Sequence, residues 1–200
     1  LGWDEHGFVK QTTSQEVREK IRKGYNNPEY AFITKPPGSS NWANRLGENK
    51  IDFVKKYFKD LDGKKILEVG AGSLYVAEKL TDSYNTKDYL VMDPAVKEKP
   101  VNSRVRVIND YFNKEIIKGD NFDLIICFSV LEHVSDPFMF LSDLRYVLSQ
   151  SRGKAILVFP NIEDSFNSGD WNVILHEHIC YLSKISIAAK FQTHHHRHGK

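Results

Sequence analysis

One short run constrains the fold more than any other part of the chain, and it reads Ile66-Leu67-Glu68-Val69-Gly70-Ala71-Gly72. Its apolar residues predict a buried strand. The glycines that follow predict a turn that a ligand can approach closely, because no side chain covers the backbone there. Residues 73–80 carry apolar side chains at helical spacing, and the unpaired N–H groups at the start of a helix favour a polar, anionic ligand group. The run therefore predicts strand, glycine turn and helix around a bound ligand.

Two further predicted strands each lead to an acidic residue. Residues 88–92 predict a buried strand that ends at Asp93-Pro94. An acid about twenty residues after the glycines accepts hydrogen bonds from the ribose hydroxyls of a nucleotide. Residues 104–108 predict a strand that leads to Asp110-Tyr111-Phe112. An acid beside two aromatic rings can accept from the amino group of adenine and enclose its ring.

A fourth strand completes a recognisable order of motifs. Residues 122–128 predict this strand, and Ser129-Val130-Leu131-Glu132-His133-Val134 follows it. The motifs occur in the order EVGAGS, an acid after the second strand, an acid after the third strand, and FDLIICFSVLEHVSDP. On these motifs, residues 64–183 resemble the class I S-adenosylmethionine (SAM)-dependent methyltransferases. The resemblance implies SAM as the cofactor and S-adenosylhomocysteine as its product.

The resemblance also implies where SAM binds. The methionine part would lie against the glycine turn, the ribose on Asp93, the adenine near Asp110 and Tyr111, and the methionine amino group near Ser129. The complete set of predicted cofactor contacts is Glu68, Gly70, Ala71, Gly72, Asp93, Pro94, Asp110, Tyr111, Phe112, Ser129 and Val130. Many members carry a third glycine where this chain has Leu74, so we expect a less open turn.

A nicotinamide dinucleotide is the alternative ligand for the same fold. Its fingerprint, G-x-G-x-x-G, needs a third glycine for close packing of helix on strand. Here that position holds Tyr75. The bulky ring favours SAM over NAD.

Alternating strands and helices predict the fold class. Ser135-Asp136-Pro137 is a helix start, and residues 153–160 predict a fifth strand. This order predicts an α/β fold, Rossmann-like and doubly wound, with a mainly parallel sheet, helices on both faces and the ligand at the carboxyl ends of the strands.

The segment before the glycine turn, residues 1–60, predicts a helical cap. Thr13-Ser14-Gln15-Glu16 fits a capping box for one helix, residues 26–42 predict a loop, and residues 48–59 predict a second helix. We expect residues 61–191 to form the SAM-binding domain. Aromatic residues of the cap either line the acceptor pocket or fill the core; these are Trp3, Phe8, Tyr25, Tyr30, Phe32 and Trp42.

Three residues are predicted to take part in catalysis: His133, His178 and Glu177. Methyl transfer to oxygen or carbon needs a base, and histidine suits that role near neutral pH. The segment HEHICYLS, residues 176–183, resembles sugar C-methyltransferases, in which a histidine and a neighbouring glutamate do acid-base work. Those enzymes commonly carry a tyrosine before HEH and a cysteine-rich zinc module; here Leu175 precedes HEH and only Cys127 and Cys180 are present.

Other roles for these residues stay open. His133 could orient its loop, and Glu132 is expected to hold that loop or meet the substrate. His176 and His178 share a face of an extended segment and could bind a metal. Without a clear third ligand beyond Glu177, no metal site is predicted.

The composition limits the kinds of binding partner and the cellular location that we expect. The formal charge of +2 over 200 residues argues against a nucleic-acid partner. No apolar stretch approaches the roughly 20 residues that span a bilayer. Two cysteines and no secretory signal favour the cytoplasm.

The end of the chain predicts a shortened sheet. The family sheet usually finishes with a helix and an antiparallel strand pair, which residues 184–200 cannot supply. Residues 192–200 predict a disordered, histidine-rich tail. An exposed edge strand favours pairing, so we expect a homodimer or a shortened chain.

Together these patterns predict a SAM-dependent methyltransferase that acts on a small molecule. The acceptor is expected to be a sugar, a nucleotide-linked compound or a specialised metabolite, with oxygen methylation ahead of carbon or nitrogen. The alternatives are a SAM-binding module without turnover and an NAD-dependent oxidoreductase.

Overall fold

A five-stranded parallel sheet organises the chain, and the computed structural model describes residues 1–5, 8–24, 37–175 and 177–192. In chain order the elements are β1 (Gly2–Trp3), β2 (Val9–Lys10), α1 (Gln15–Gly24), α2 (Asn41–Tyr57), β3 (Lys65–Val69), α3 (Tyr75–Ser83), β4 (Asp88–Met92), β5 (Val105–Ile108), β6 (Leu124–Phe128), α4 (Pro137–Ser149), β7 (Lys154–Val158), α5 (Ile162–Ser168), β8 (Cys180–Tyr181) and α6 (Lys184–Gln192). Two short 3₁₀ helices, Leu131–His133 and Trp171–Val173, follow β6 and α5.

The strand order of the large sheet is β5-β4-β3-β6-β7, and every neighbouring pair is parallel. The chain builds outwards from β3 to β5, then returns to place β6 on the other side of β3. Val69 at the end of β3 is paired with both Met92 of β4 and Cys127 of β6. The carboxyl ends of the three central strands therefore meet where the strand order reverses, which is where α/β sheets bind ligands.

Side-chain alternation along the strands divides the core into two layers. Leu67 of β3 belongs to the layer beneath α4 and α6, whereas its neighbour Ile66 belongs to the layer beneath α2 and α3. The second layer receives Ile51 from α2 and Leu80 from α3. Helices thus cover both faces, and the predicted fold class is confirmed.

A small antiparallel sheet, which the sequence did not predict, joins the two ends of the described chain. Its order is β1-β2-β8, with Val9 paired to Tyr181 and Lys10 to Cys180. Phe8 lies just before β2 and is buried in the core layer beneath α4. Residues 1–60 therefore contribute strands and core side chains as well as helices.

The two N-terminal helices differ from their predicted positions. Ser14, not Thr13, caps α1, because its Oγ accepts from the Val17 N–H at 3.3 Å, and no residue of α1 is buried. Helix α2 begins at Asn41 instead of residue 48, because Ser40 Oγ accepts from the Ala43 N–H at 3.2 Å. The predicted loop 26–42 is therefore wrong at its end; its residues 26–36 lie outside the described part of the chain.

The sheet ends at β7. Among the described residues, no strand pairs with the outer side of β7, and the segment after β8 forms α6. Residues 193–200, the predicted tail, lie outside the described ranges. Within those ranges, no helix combines the length and the apolarity needed to cross a membrane.

Truncation of Phe8 tests the packing of the N-terminal strand. Phe8 is 1% exposed, so Phe8→Ala should leave a cavity and lower the free energy of unfolding by about 3–5 kcal/mol. Trp3→Ala is the matched control, because Trp3 is 77% exposed and should change that energy by less than about 0.5 kcal/mol. Urea unfolding of both variants measures this; equal effects would mean that Phe8 does not pack as described.

Candidate active site

A cavity of about 600 Å³ opens at the carboxyl ends of β3, β4 and β6. The glycine turn after β3 forms one wall, the ends of β4 and β6 form two others, and the segment before β8 closes it. Predicted site residues that line it are Gly70, Ala71, Gly72, Asp93, Pro94, Tyr111, Phe112, Ser129, Val130, His133, Glu177 and His178. The fold therefore brings together twelve of the fourteen residues proposed from sequence.

The glycine turn needs its glycines for two separate reasons. Gly70 and Gly72 have φ values of 69° and 72°, in the left-handed region that favours glycine. A Cβ on Gly70 would also lie 2.2 Å from Cγ2 of Val130, in the segment after β6. Gly70 thus lets the ends of β3 and β6 approach each other.

Asp93 connects the glycine turn to the end of β4. Its Oδ2 accepts from the Gly72 N–H at 2.8 Å, and its Oδ1 accepts from the Ala95 N–H at 2.6 Å. The residue is buried but lines the cavity. Since each carboxylate oxygen has two lone pairs, both oxygens retain one for a ligand hydroxyl.

Leu74 and Tyr75 point away from the ligand side of the turn. Leu74 is buried in the core layer beneath α2 and α3 and does not line the cavity, so it does not narrow the turn as we expected. The Tyr75 hydroxyl donates to Glu48 Oε1 at 2.5 Å, and its ring lies against Gly47 of α2. The Tyr75 ring, whose bulk favoured SAM over a dinucleotide in the sequence, therefore packs α3 against α2.

Aromatic side chains form the wall beyond β5. Tyr111 and Phe112 line the cavity, and the Phe112 ring meets Phe140 of α4 edge-on at 5.2 Å. The Tyr111 hydroxyl donates to the carbonyl of Arg22 at 3.0 Å, which places the end of α1 beside this wall. Asp110 is exposed and lies outside the cavity lining; its Oδ1 accepts from the Tyr111 N–H at 2.7 Å.

Glu68 also lies outside the lining, inside the protein behind the glycine turn. Its Oε2 accepts from the Tyr89 hydroxyl at 2.8 Å, and the residue is 2% exposed. Burial raises the pKa of Glu68 to about 7, although the charge of Lys50 and the bond from Tyr89 act in the opposite direction. The structure therefore gives Glu68 a buried contact to β4 and leaves it outside the cavity lining.

Ser129 stands at the end of β6 in a conformation that is uncommon outside glycine. Its φ is 54°, and its N–H donates to the Val158 carbonyl of β7 at 2.8 Å. Such backbone strain is concentrated at functional sites. It turns the chain from β6 into the 3₁₀ helix that carries Glu132 and His133.

The far end of the cavity holds a cluster of titratable side chains, which we call the imidazole cluster: Glu132, His133 and His178. The two rings lie 5.1 Å apart, edge to face, and His133 Nε2 is 4.0 Å from Glu132 Oε1. Burial raises the pKa of Glu132 to about 7 and lowers the pKa of His133 below its ordinary value.

Backbone carbonyls set the orientation of both rings. His133 Nδ1 is 3.0 Å from the Glu177 carbonyl, and His178 Nδ1 is 2.7 Å from the Val173 carbonyl. A carbonyl oxygen only accepts, so each Nδ1 carries the hydrogen and each Nε2 has the lone pair. Both rings are thus held in the same tautomer.

The small sheet holds the segment that carries His178. The Gln11 N–H donates to the Ile179 carbonyl at 2.9 Å, and its side-chain Nε2 donates to the Leu175 carbonyl at 2.8 Å. Residues near the start of the chain therefore position a histidine close to its other end.

The sequence did not predict which residues form the helical side of the cavity. Leu46 and Lys50 of α2 line it, together with Pro37, and Lys50 Nζ lies 5.6 Å from the centre of the Phe128 ring. No motif marks these residues, because their place depends on how α2 crosses the sheet.

None of the described aromatic residues of the predicted cap lines the cavity. Phe8 fills the core, which was the alternative, and Trp3 and Trp42 are exposed and do not line the cavity. Tyr25, Tyr30 and Phe32 lie outside the described residues, as does His176. The aromatic lining comes instead from Tyr111, Phe112, Phe128 and Phe140.

The arrangement of sheet, glycine turn and acid after β4 defines a class I methyltransferase. A family model described as "Methyltransferase domain" matches residues 42–194. The chain therefore belongs to this methyltransferase family. The predicted family, enzyme class and cofactor, SAM, are confirmed.

Curated relatives cover part of the chain and differ in what they act on. The chain is 27% identical over 138 residues to a ubiquinone biosynthesis O-methyltransferase of Actinobacillus pleuropneumoniae, covering 64% of this chain and 58% of the relative. It is 28% identical over 158 residues to a tRNA U34 carboxymethyltransferase of Campylobacter hominis, covering 74% and 50%. The chain thus spans between half and three fifths of these relatives. Because one is named for tRNA, the predicted absence of a nucleic-acid partner is not supported.

Solved structures share the fold at low identity. The plantazolicin methyltransferase BamL, in complex with a triazolic desmethylPZN analog and S-adenosylhomocysteine, has a TM-score of 0.61 at 11% identity, covering 92% of this chain and 74% of its own. A methyltransferase in complex with the Haloferax volcanii Trm112 activator has a TM-score of 0.55 at 10% identity, covering 91% and 76%. At these identities the likeness concerns the fold alone.

Substitution of Gly70 tests the close approach of β3 and β6. Gly70→Ala should abolish measurable binding of S-adenosylhomocysteine, because the new methyl group meets Val130 and must displace the cavity wall. Gly63→Ala is the matched control: its φ is 67°, but nothing lies within 4 Å of an added Cβ. Calorimetric titration of both variants measures this, and equal losses would assign the effect to backbone strain alone.

Substitution of Glu68 tests its burial through the pH dependence of stability. A folded pKa of about 7 against a reference of 4.5 means that the folded state binds more protons between these values. The contribution of Glu68 to the free energy of unfolding is therefore present at low pH and is lost as pH rises from about 4.5 to about 7.

Glu68→Gln removes that loss and keeps an oxygen for Tyr89. The variant should be more stable than the wild type above about pH 7, by at most about 3 kcal/mol, with a difference that shrinks towards pH 5. Exposed Asp82→Asn is the control and should leave the profile unchanged. Urea unfolding across this pH range measures the effect; parallel profiles for Glu68→Gln and wild type would contradict the assignment.

Proposed function

We propose that the protein transfers the methyl group of SAM to an oxygen atom of a small-molecule acceptor. The observation that carries this proposal is the continuous cavity that joins the glycine turn to the imidazole cluster. SAM supplies a methyl group on a sulfonium: the carbon–sulfur bond breaks, a carbon–oxygen bond forms and the acceptor loses a proton. One end of the cavity suits the cofactor and the other suits an acceptor hydroxyl.

The cofactor end offers contacts of the required chemistry. The glycine turn leaves its backbone accessible, and Asp93 has a lone pair on each oxygen for the ribose hydroxyls. Tyr111 and Phe112 provide an aromatic wall for adenine. We assign the methionine part to the Ser129–Val130 segment, because both residues line the cavity together with the glycine turn.

The acceptor end offers groups that act on a hydroxyl. His133 and His178 each have an Nε2 lone pair, since each Nδ1 is directed to a carbonyl. Proton removal from an acceptor oxygen at this point would leave it negatively charged within the cavity, facing the methyl group. Glu177 contributes its backbone carbonyl to His133, and we propose a supporting role for it in place of the acid-base role expected from sequence.

Two observations favour a small acceptor with a hydroxyl group. The net charge of +2 gives little long-range attraction for an RNA backbone. Relatives that include the Actinobacillus protein are named as O-methyltransferases. The acceptor class remains the one expected from sequence: a sugar, a nucleotide-linked compound or a specialised metabolite.

Binding of S-adenosylhomocysteine and turnover together test the proposal. Asp93→Asn should weaken that binding by at least about 10-fold, because it loses charge-assisted hydrogen bonds to the ribose. Asp110→Asn is the matched control, as Asp110 is an exposed acid outside the cavity lining, and should bind as the wild type does. Calorimetry measures both.

Turnover is measured as S-adenosylhomocysteine formed from SAM across a panel of hydroxylated acceptors, with unmodified tRNA as a separate arm. Wild-type turnover with a hydroxylated small molecule, lowered at least about 100-fold in His178→Ala, supports the proposal. Binding of SAM without turnover on any acceptor would favour a SAM-binding module. Turnover only with tRNA would contradict the proposed small-molecule acceptor. Binding of NADH instead of SAM would contradict the proposed methyltransferase function.

A further inference from the structure

The imidazole cluster has the composition of a metal site. One ligand atom from each of Glu132, His133 and His178 lies within 4.8 Å of the others. Two imidazoles and one carboxylate form the kind of donor set that holds Zn²⁺ and similar transition-metal ions. The sequence predicted no metal site, because no clear third ligand beyond Glu177 accompanied His176 and His178. Only the fold brings His133 and Glu132 close to His178.

The histidines are oriented as metal ligands usually are. In metal sites, a ligating histidine donates its other ring N–H to a carboxylate or backbone carbonyl, which fixes the tautomer and the ring plane. Here the carbonyls of Glu177 and Val173 take that role for His133 and His178. In each neutral ring, Nε2 is therefore the nitrogen that carries the lone pair before any ion binds.

Glu132 provides the second, independent observation. It lines the cavity and is 3% exposed, and its Oε2 has no hydrogen-bond partner among the described residues. A buried, unpaired carboxylate oxygen is costly unless a positive charge or a donor compensates it. Lys50 lines the same cavity and its positive charge acts on Glu132, but among the described residues no Lys50–Glu132 contact is close enough for an ion pair, so this oxygen still has no direct partner. A divalent cation between Glu132 and the two rings would satisfy this oxygen.

The distances allow binding with small movements. Two metal–ligand bonds of about 2.1 Å span at most about 4.2 Å. His133 Nε2 and Glu132 Oε1 are already 4.0 Å apart. All three ligand atoms lie within 4.8 Å of one another, so a closure of at most roughly 0.6 Å is needed, which side-chain rotation supplies.

We propose that Glu132, His133 and His178 bind a divalent transition-metal ion, with Zn²⁺ as the ion that suits the donor set. Three protein ligands leave a fourth position for another ligand, and all three residues line the cavity. With both Nε2 lone pairs on the ion, the histidines would no longer act as the base. An acceptor hydroxyl that coordinates to the ion would instead lose its proton to solvent more readily, and its oxygen would take the methyl group as the carbon–sulfur bond of SAM breaks. The role of the ion rests on the proposed function, whereas its binding does not.

Zinc titration with a competing chromogenic chelator tests the site directly. The histidine-rich end of the chain would bind Zn²⁺ on its own, so every protein in the series carries His194, His195, His196 and His198 replaced by alanine. In this background we expect one Zn²⁺ per chain. His133→Ala and His178→Ala should each weaken binding at least about 100-fold, since even indirect partners of ligands contribute about 10- to 100-fold.

Two further variants keep the result interpretable. Glu132→Gln retains the shape of the side chain and should also weaken Zn²⁺ binding, while circular dichroism and thermal unfolding show whether it folds. His176→Ala is the matched control, a histidine two residues from His178 that lies outside the proposed set, and it should bind as the parent does. Substitution of Co²⁺ gives a second readout, because ligation by two imidazoles and a carboxylate produces visible absorption that the variants should lose.

The outcomes separate the metal site from the proposed function. Stoichiometric Zn²⁺ binding that depends on all three residues supports the site, whether or not an acceptor is found. Binding that survives in all three variants, binding that needs His176 but not His133, or the absence of binding to a folded chain overturns it. If turnover persists unchanged in excess chelator, the result contradicts a role of the ion in methyl transfer but not the binding of Zn²⁺ at the site.

Discussion

The carboxylate of Asp93 makes the contact on which the rest of the site depends. It stands at the end of β4 and accepts from the Gly72 N–H of the neighbouring turn and from the Ala95 N–H of its own loop. Without it, the N–H groups of Gly72 and Ala95 would lose their acceptor at the point where the strand order reverses. The same carboxylate faces the cavity, so one group joins the two central strand ends and meets the ligand.

The acceptor end depends on a different connection, between the two ends of the described chain. β2 pairs with β8, and Gln11 binds the backbone on both sides of His178. The rings of His133 and His178 are in turn held by carbonyls of residues 177 and 173. The cofactor end is thus built within the parallel sheet, whereas the acceptor end is assembled from distant segments, which is where members of one fold differ in function.

Sequence reasoning succeeded where a function is encoded in consecutive residues. The strand and turn at Gly70–Gly72, the acid at residue 93 and the segment after β6 all line the cavity as expected. Glu68 and Asp110 belong to the same motifs but lie outside the cavity lining, because they face the protein interior and the solvent. Motif membership does not specify which way a side chain points. Lys50 was missed because α2 carries no motif and reaches the cavity only through its packing on the sheet.

By itself, the sequence determined the parallel sheet and the order of its elements, because hydrophobic periodicity and glycine turns are local properties of the backbone. The family and the cofactor followed from the resemblance of its motifs to those of known methyltransferases. Only the tertiary structure decided that β1 and β2 add to β8 and that Phe8 enters the core. It alone also places Glu132, His133 and His178 within 4.8 Å of one another. These features depend on contacts between residues far apart along the chain. No local pattern encodes such contacts, since they follow from how the packed layers bring distant segments together.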